Sequence, residues 1–218
     1  MNVFLLKLIA LITMILDHYG AIFQSSTDIY RIIGRIAFPI YCFLLVEGYI
    51  HTKDVKKYAK RLFIFALISE LPFDLAFYNG LEFSHQNIFF TLFTGLITIY
   101  LIENKEGKFN YNKSLIFFGA GILATLLCFD YQIIGIIYIM AFYFTKDYQG
   151  LQRIYRVALI LLLTNILFGV FKQNYAIMSL PFIYFYNGKY GPKNRFLQML
   201  FYTAYPLHLI IFYLIKII

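Results

Sequence analysis

Charge is scarce in this 218-residue chain: 14% of its residues are charged, against 61% hydrophobic and 21% aromatic, with a mean hydropathy of +0.71. Soluble domains carry about 25% charged residues, so an aqueous surface is excluded and lipid is the expected solvent. Cysteine is nearly missing as well. Cys42 and Cys128 both fall inside apolar runs and read as small buried hydrophobes, with no disulfide framework or metal site visible. Also lacking are a fixed-period repeat, a low-complexity segment, and a polar stretch long enough to fold by itself. The expectation is one integral membrane domain over 1–218. The first apolar run ends at Asp17-His18-Tyr19-Gly20 without a small-residue cleavage pattern, so it reads as a retained helix.

What the chain does contain is about nine apolar runs, near 3–23, 29–50, 58–79, 86–103, 114–129, 131–146, 154–171, 173–187 and 196–217. They predict an all-α, polytopic bundle of about nine spanning helices, each needing roughly 20 residues. Runs five and six meet at Phe129-Asp130-Tyr131, and runs seven and eight at Phe171-Lys172-Gln173-Asn174. Each junction is a very tight hairpin or a broken helix. Every second loop is basic: Lys53, Lys56, Lys57, Lys60 and Arg61 follow run two, then come Lys105, Lys108 and Lys113, then Lys146, Arg153 and Arg156, then Lys189, Lys193 and Arg195. This alternation explains the net charge of +8 as topology control, not nucleic-acid binding. It places the N-terminus in the cytoplasm.

An ionisable group at membrane depth costs roughly 2.5 to 3.5 kcal/mol on insertion scales, so each one needs a partner, a wet cavity or a task. The short set comprises Asp17, His18, Arg31, Arg35, Glu47, Glu70, Asp74, Asp130 and His208. With alternating helix directions, Asp17, His18, Arg31, Arg35, Glu70, Asp74, Asp130 and His208 fall in one layer near or just outside the midplane, which predicts a polar pocket. His18 reads either as a proton-exchanging base beside Asp17 or as a helix-end histidine capping carbonyls before Gly20. Arg35, one turn before Pro39, reads as an anion or oxyanion binder, or as the partner of Asp17, Glu70 or Asp74. The run from Lys53 to Arg61 attracts phosphates, either those of anionic lipid or those of a donor such as coenzyme A. It has no Gly-rich cradle.

Lys7 through Asp17-His18-Tyr19-Gly20 resembles the opening signature of the TraX family of pilin N-acetylases. Further matches follow in order: Gly34-Arg35-Ile36-Ala37-Phe38-Pro39-Ile40 with Glu47-Gly48, Arg61 through Glu70-Leu71-Pro72-Phe73-Asp74, Asn87-Ile88-Phe89-Phe90-Thr91-Leu92, Asp130-Tyr131 with Gly135, and Tyr205-Pro206-Leu207-His208-Leu209. The resemblance implies a multi-pass plasma (inner) membrane acyltransferase that moves acetyl from acetyl-CoA, its donor substrate, to an amine such as a pilin N-terminus, or to a hydroxyl, without a metal. In that reading His18 is the base, Asp17 orients it and His208 assists from the opposite wall. Arg35 holds an acyl oxygen or the donor, and Glu70 and Asp74 shape the pocket. Lys56, Lys57, Lys60 and Arg61 meet the donor's phosphates, and Glu47, Asn87, Asp130 and Tyr131 complete the binding set. Expected partners are membrane lipid, acyl-CoA and an acceptor protein or glycan, a pilin among them. A small proton-coupled transporter and a membrane assembly partner whose polar groups only pack helices are the competing readings.

Overall fold

The computed structural model describes residues 1–24, 26–103, 112–192 and 194–218, so Lys105, Lys108 and Lys193 lie outside the described residues. Its regular structure is all helical: α1 Val3–Phe23, α2 Ile29–Gly34, α3 Ala37–His51, α4 Val55–Tyr78, α5 Ile88–Glu103, α6 Lys113–Leu126, α7 Gln132–Phe144, α8 Gly150–Leu167, a 3-10 segment Phe171–Ser179, α9 Leu180–Tyr184 and α10 Arg195–Ile217. Several starts are written in the sequence. Asn2, Asp54, Asn112 and Asn194 each cap a helix by accepting a hydrogen bond from a backbone N–H of the first turn.

Two runs are divided. The second breaks at Arg35-Ile36, four residues ahead of Pro39, where the proline ring crowds the carbonyl of Arg35 and supplies no N–H. The eighth, 173–187, forms no single α-helix. It winds as a 3-10 segment and restarts as α9 with Pro181 in its first turn, a position where the missing N–H goes unused.

By length and composition, Val3–Phe23, Ile29–His51, Gly150–Leu167 and Phe196–Ile217 are long and apolar enough to cross a membrane, while α5, α6 and α7 are apolar but shorter. Outward-facing Phe118, Leu126, Leu163 and Ile215 are each more than half exposed, as a lipid-facing surface requires. The interior pairs α1 with α2, α3 and α10, α4 with α5 and α10, and α7 with α3, α5 and α6.

The described connecting segments meet in two groups, at opposite ends of the bundle. At the basic end Glu103 accepts from Tyr49 (2.8 Å), Tyr143 (3.0 Å) and the Lys146 ammonium, and the Val3 N–H donates to the Lys189 carbonyl at 2.9 Å. At the opposite end the Gln86 N–H donates to the Cys128 carbonyl and the Asp130 N–H to the Gln86 carbonyl, both at 2.9 Å. There Lys172 also pairs with Asp28 at 2.7 Å.

Candidate active site

The site begins with a close crossing of α1 and α2. A Cβ on Gly34 would collide with Cβ and Oδ1 of Asp17, and one on Gly20 would lie 2.6 Å from Cβ of Tyr30. These two glycines let α2 lie against α1 and bring Arg31 of α2 and Arg35, the residue just past its end, to one carboxylate. Arg31 Nη1 donates to Asp17 Oδ2 at 2.5 Å and to the Asp17 carbonyl at 3.2 Å, while Arg35 Nη2 donates to Asp17 Oδ1. Arg35 also reaches Gln173 Oε1 at 3.1 Å and the Tyr131 hydroxyl at 3.3 Å. Two guanidinium groups thus share one carboxylate, and the Asp130 carboxylate lines the same cavity as they do. Gly34→Ala is expected to destabilise the protein by about 1–3 kcal/mol, the usual cost of overpacking, seen as a lower thermal midpoint in detergent.

Both oxygens of Asp17 are held by arginine. The His18 ring meets His208 instead: His18 Nδ1 and His208 Nε2 lie 2.7 Å apart, with the rings tilted by only 17°. His208 Nδ1 in turn lies 2.8 Å from the Ala204 carbonyl. A carbonyl only accepts, so His208 Nδ1 carries a proton. Two imidazolium rings would present donor to donor. In the neutral pair, therefore, His208 Nε2 accepts from His18 Nδ1–H, and His18 Nε2 keeps a lone pair. Phe77 and Tyr205 meet the His18 ring edge-on at 5.3 and 5.8 Å, and Phe212 meets that of His208 at 5.6 Å, giving the pair apolar walls.

His18 faces a cavity of about 780 Å³, shared with Asp17, Arg31, Arg35, Asp130 and Tyr131. The α6–α7 turn that delivers the last two is bent into the left-handed region at Cys128 (φ 54°), Tyr131 (φ 62°) and Gln132 (φ 46°), a conformation costing roughly 1–2 kcal/mol per residue. Its strand-like pairing with Gln86 and the bond from Thr91 Oγ1 to the Asp130 carbonyl hold it there. Tyr131 stacks on Phe38 at 3.9 Å. Such strain, held by surrounding bonds, is common where a side chain must be aimed.

The structure thus brings Asp17, His18, Arg31, Arg35 and Asp130 to one cavity, with His208 against His18, and the rest of the expected set divides. Glu70 accepts from the Asn87 N–H (3.2 Å) and its side-chain amide, which also bonds the Ala66 carbonyl at 2.8 Å, so this pair ties α4 to the start of α5. Asp74 accepts from the Glu82 N–H at 3.1 Å. These three brace the connecting loop and do not line the cavity. Glu47 and Arg61 line a second cavity toward the basic end, while Lys56, Lys57 and Lys60 are exposed.

Sequence reasoning missed His85 and Gln173. His85 lines the His18 cavity, with Nε2 3.7 Å from Asp130 Oδ1. A single histidine in a loop gives no periodic signal, and contact with Asp130 arises only from the Gln86 pairing. The Asp130 carboxylate holds His85 above the ordinary imidazole value of 6.5, against the opposing effect of burial. A raised folded value means that the contact stabilises fully below about pH 6.5 and is lost as pH rises through the folded value. His85→Gln is accordingly expected to lower the thermal midpoint near pH 6 and to match the parent near pH 9. Both side chains are partly exposed, which keeps the effect under about 1 kcal/mol.

A lipid-facing helical bundle enclosing a polar cavity defines an integral membrane protein with a buried site. More particularly, the chain belongs to the TraX protein family, which it matches over residues 3–216. It is 30% identical, over 95% of its own length and 93% of the relative's, to the probable fimbrial assembly protein FimC, serogroup H1, of Dichelobacter nodosus. It is also 34% identical, over 50% of its length and 40% of the relative's, to the uncharacterized protein RP591 of Rickettsia prowazekii (strain Madrid E). No solved structure matches it.

Proposed function

We propose that the protein is a membrane acetyltransferase in which His18 is the general base, His208 its orienting partner, and acetyl-CoA the donor. The observation that carries this reading is the His18–His208 hydrogen bond at the wall of a cavity that also presents two arginines. The acceptor's nitrogen or oxygen attacks the thioester carbonyl carbon as His18 Nε2 takes its proton. The oxyanion that forms faces the guanidinium groups of Arg31 and Arg35, preorganised donors of the kind that lower acyl-transfer barriers. The C–S bond then breaks, and the departing thiolate takes the proton back from the imidazolium. His208 Nε2, accepting from His18 Nδ1–H, stabilises that imidazolium, as a triad carboxylate does elsewhere.

The name of the Dichelobacter relative supports a fimbrial or pilus subunit as acceptor, with its N-terminal amine the favoured group. The positive-inside rule puts the basic end in the cytoplasm of a plasma membrane and the His18 cavity toward the other side. Glutamine at position 208 keeps a side-chain acceptor for His18 Nδ1–H, and leucine does not. His208→Gln is therefore expected to retain at least about ten times the acetyl transfer of His208→Leu, since a positioned base contributes 10² to 10⁴-fold. Labelled acetyl transferred from acetyl-CoA in washed membranes measures this. Equal activity in the two variants would remove His208 from the mechanism, and label-free uptake of solute into vesicles without acetylation would favour a transporter.

A further inference from the structure

The second cavity, about 560 Å³, opens near the basic end and contains Lys7 of α1 and Arg61 of α4. Neither cation lies within 4 Å of a carboxylate among the described residues. The nearby Glu47 is already engaged, 3.7 Å from Arg153 and 4.0 Å from His51. Lys7 and Arg61 are close enough for their charges to repel. Arg61 lies over the Tyr58 ring at 5.5 Å, and its Nε is buried without a hydrogen-bond partner. Lys7 lies over the Phe201 ring at 5.5 Å. Two cations held together in a partly apolar cavity without a carboxylate partner favour an anion that joins them. Phosphate esters are the fitting class, because a fork of guanidinium donors and a point-charged ammonium both bind phosphate oxygens.

This cavity also touches the first one. Met14, Tyr41, Ile88 and Tyr205 line both, so a wall one residue thick separates the inner cations from the histidine site. The Tyr41 hydroxyl rests 3.8 Å from the Met14 sulfur, a weak contact that a flexible thioether can leave. Along α1, His18 is eleven residues beyond Lys7, about 16 Å at 1.5 Å per residue. An extended chain covers 3.8 Å in three bonds, so an arm of about 13 bonds bridges that distance.

We propose that the inner cavity holds the phosphate end of a slender acyl carrier on Lys7 and Arg61. The carrier's arm passes over the Met14–Tyr41–Tyr205 wall and presents the acyl group directly to His18. This rests on the acyl-transfer reading and adds the donor's seat and its path. The acyl carbon leaves sulfur and joins the acceptor in one exchange, with no covalent stop on the protein. Exposed Lys56, Lys57 and Lys60 take no part in the seat.

Purified protein in detergent, titrated calorimetrically with S-acetyl-4′-phosphopantetheine, tests the seat without relying on activity. Lys7→Gln and Arg61→Gln are each expected to weaken binding at least about tenfold, Lys7→Arg to restore most of it, and His18→Asn to leave it unchanged. All four variants should keep the parental thermal midpoint within a few degrees. Acetyl phosphate and inorganic phosphate, lacking the arm, are expected to bind far more weakly. Parental affinity in both glutamine variants, equal affinity for acetyl phosphate, or displacement of the ligand by phosphatidylglycerol micelles would each overturn the proposal, the last by assigning the seat to lipid headgroups. An acid-stable acetyl group on the protein during turnover would overturn direct transfer. Charge-dependent binding with no acetyl transfer from any donor would instead sink the enzymatic reading and leave the phosphate seat standing.

Discussion

His18→Asn is expected to lower acetyl transfer by about 10³-fold while the protein still folds and extracts normally. The size follows from what a positioned general base contributes, 10² to 10⁴-fold. The selectivity follows from geometry. Asparagine keeps a donor for His208 Nε2, the acceptor 2.7 Å from His18 Nδ1, but offers no lone pair that takes a proton near neutral pH. The expected pattern in membranes at matched expression is therefore intact thermal behaviour, intact donor binding and lost transfer. Parental transfer rates in this variant would remove the base from the mechanism.

Asp17→Ala is expected to do the opposite, destabilising the fold by about 3–5 kcal/mol, the cost of leaving a buried charge uncompensated. Two arginines depend on this carboxylate, and the side chains of Asp17 and Arg35 are only 12% and 14% exposed. No other carboxylate lies within 4 Å of Arg31 or Arg35 among the described residues. The loss should appear as a lower thermal midpoint and reduced yield. A double replacement, Asp17→Leu with Arg35→Met, should recover part of it, because it deletes one of the two charges that would otherwise be left unpaired. If Asp17→Ala melted like the parent yet lost all transfer, Asp17 would be chemical and not structural.

The gathering of charges at one depth was legible because topology follows from loop lysines, and depth from counting residues along a helix. That reasoning brought Asp17 and His18, Arg35, Asp130 and His208 together from four separate places in the chain. It did not reveal which of them touch. Adjacent residues on a helix point about 100° apart, so Asp17 turns toward α2 and His18 toward α10, and the sequence pair that looked like a base and its orienter is split. Glu70 and Asp74 face the 79–87 loop, away from the His18 cavity. Nothing local to Lys7 tells that Arg61 shares its cavity. The eighth run was read from its apolar content alone, and Pro181, the residue that divides it, was present in the sequence.

The most direct test is made with purified protein in sealed proteoliposomes, supplied with acetyl-CoA labelled in the acetyl group and a peptide bearing a pilin-type N-terminal amine. The expected result is one equivalent of free thiol released for each acetyl found on the peptide by mass spectrometry, with both products at background for His18→Asn. Thiol release without peptide acetylation, or equal acetylation by the parent and His18→Asn, would contradict the account.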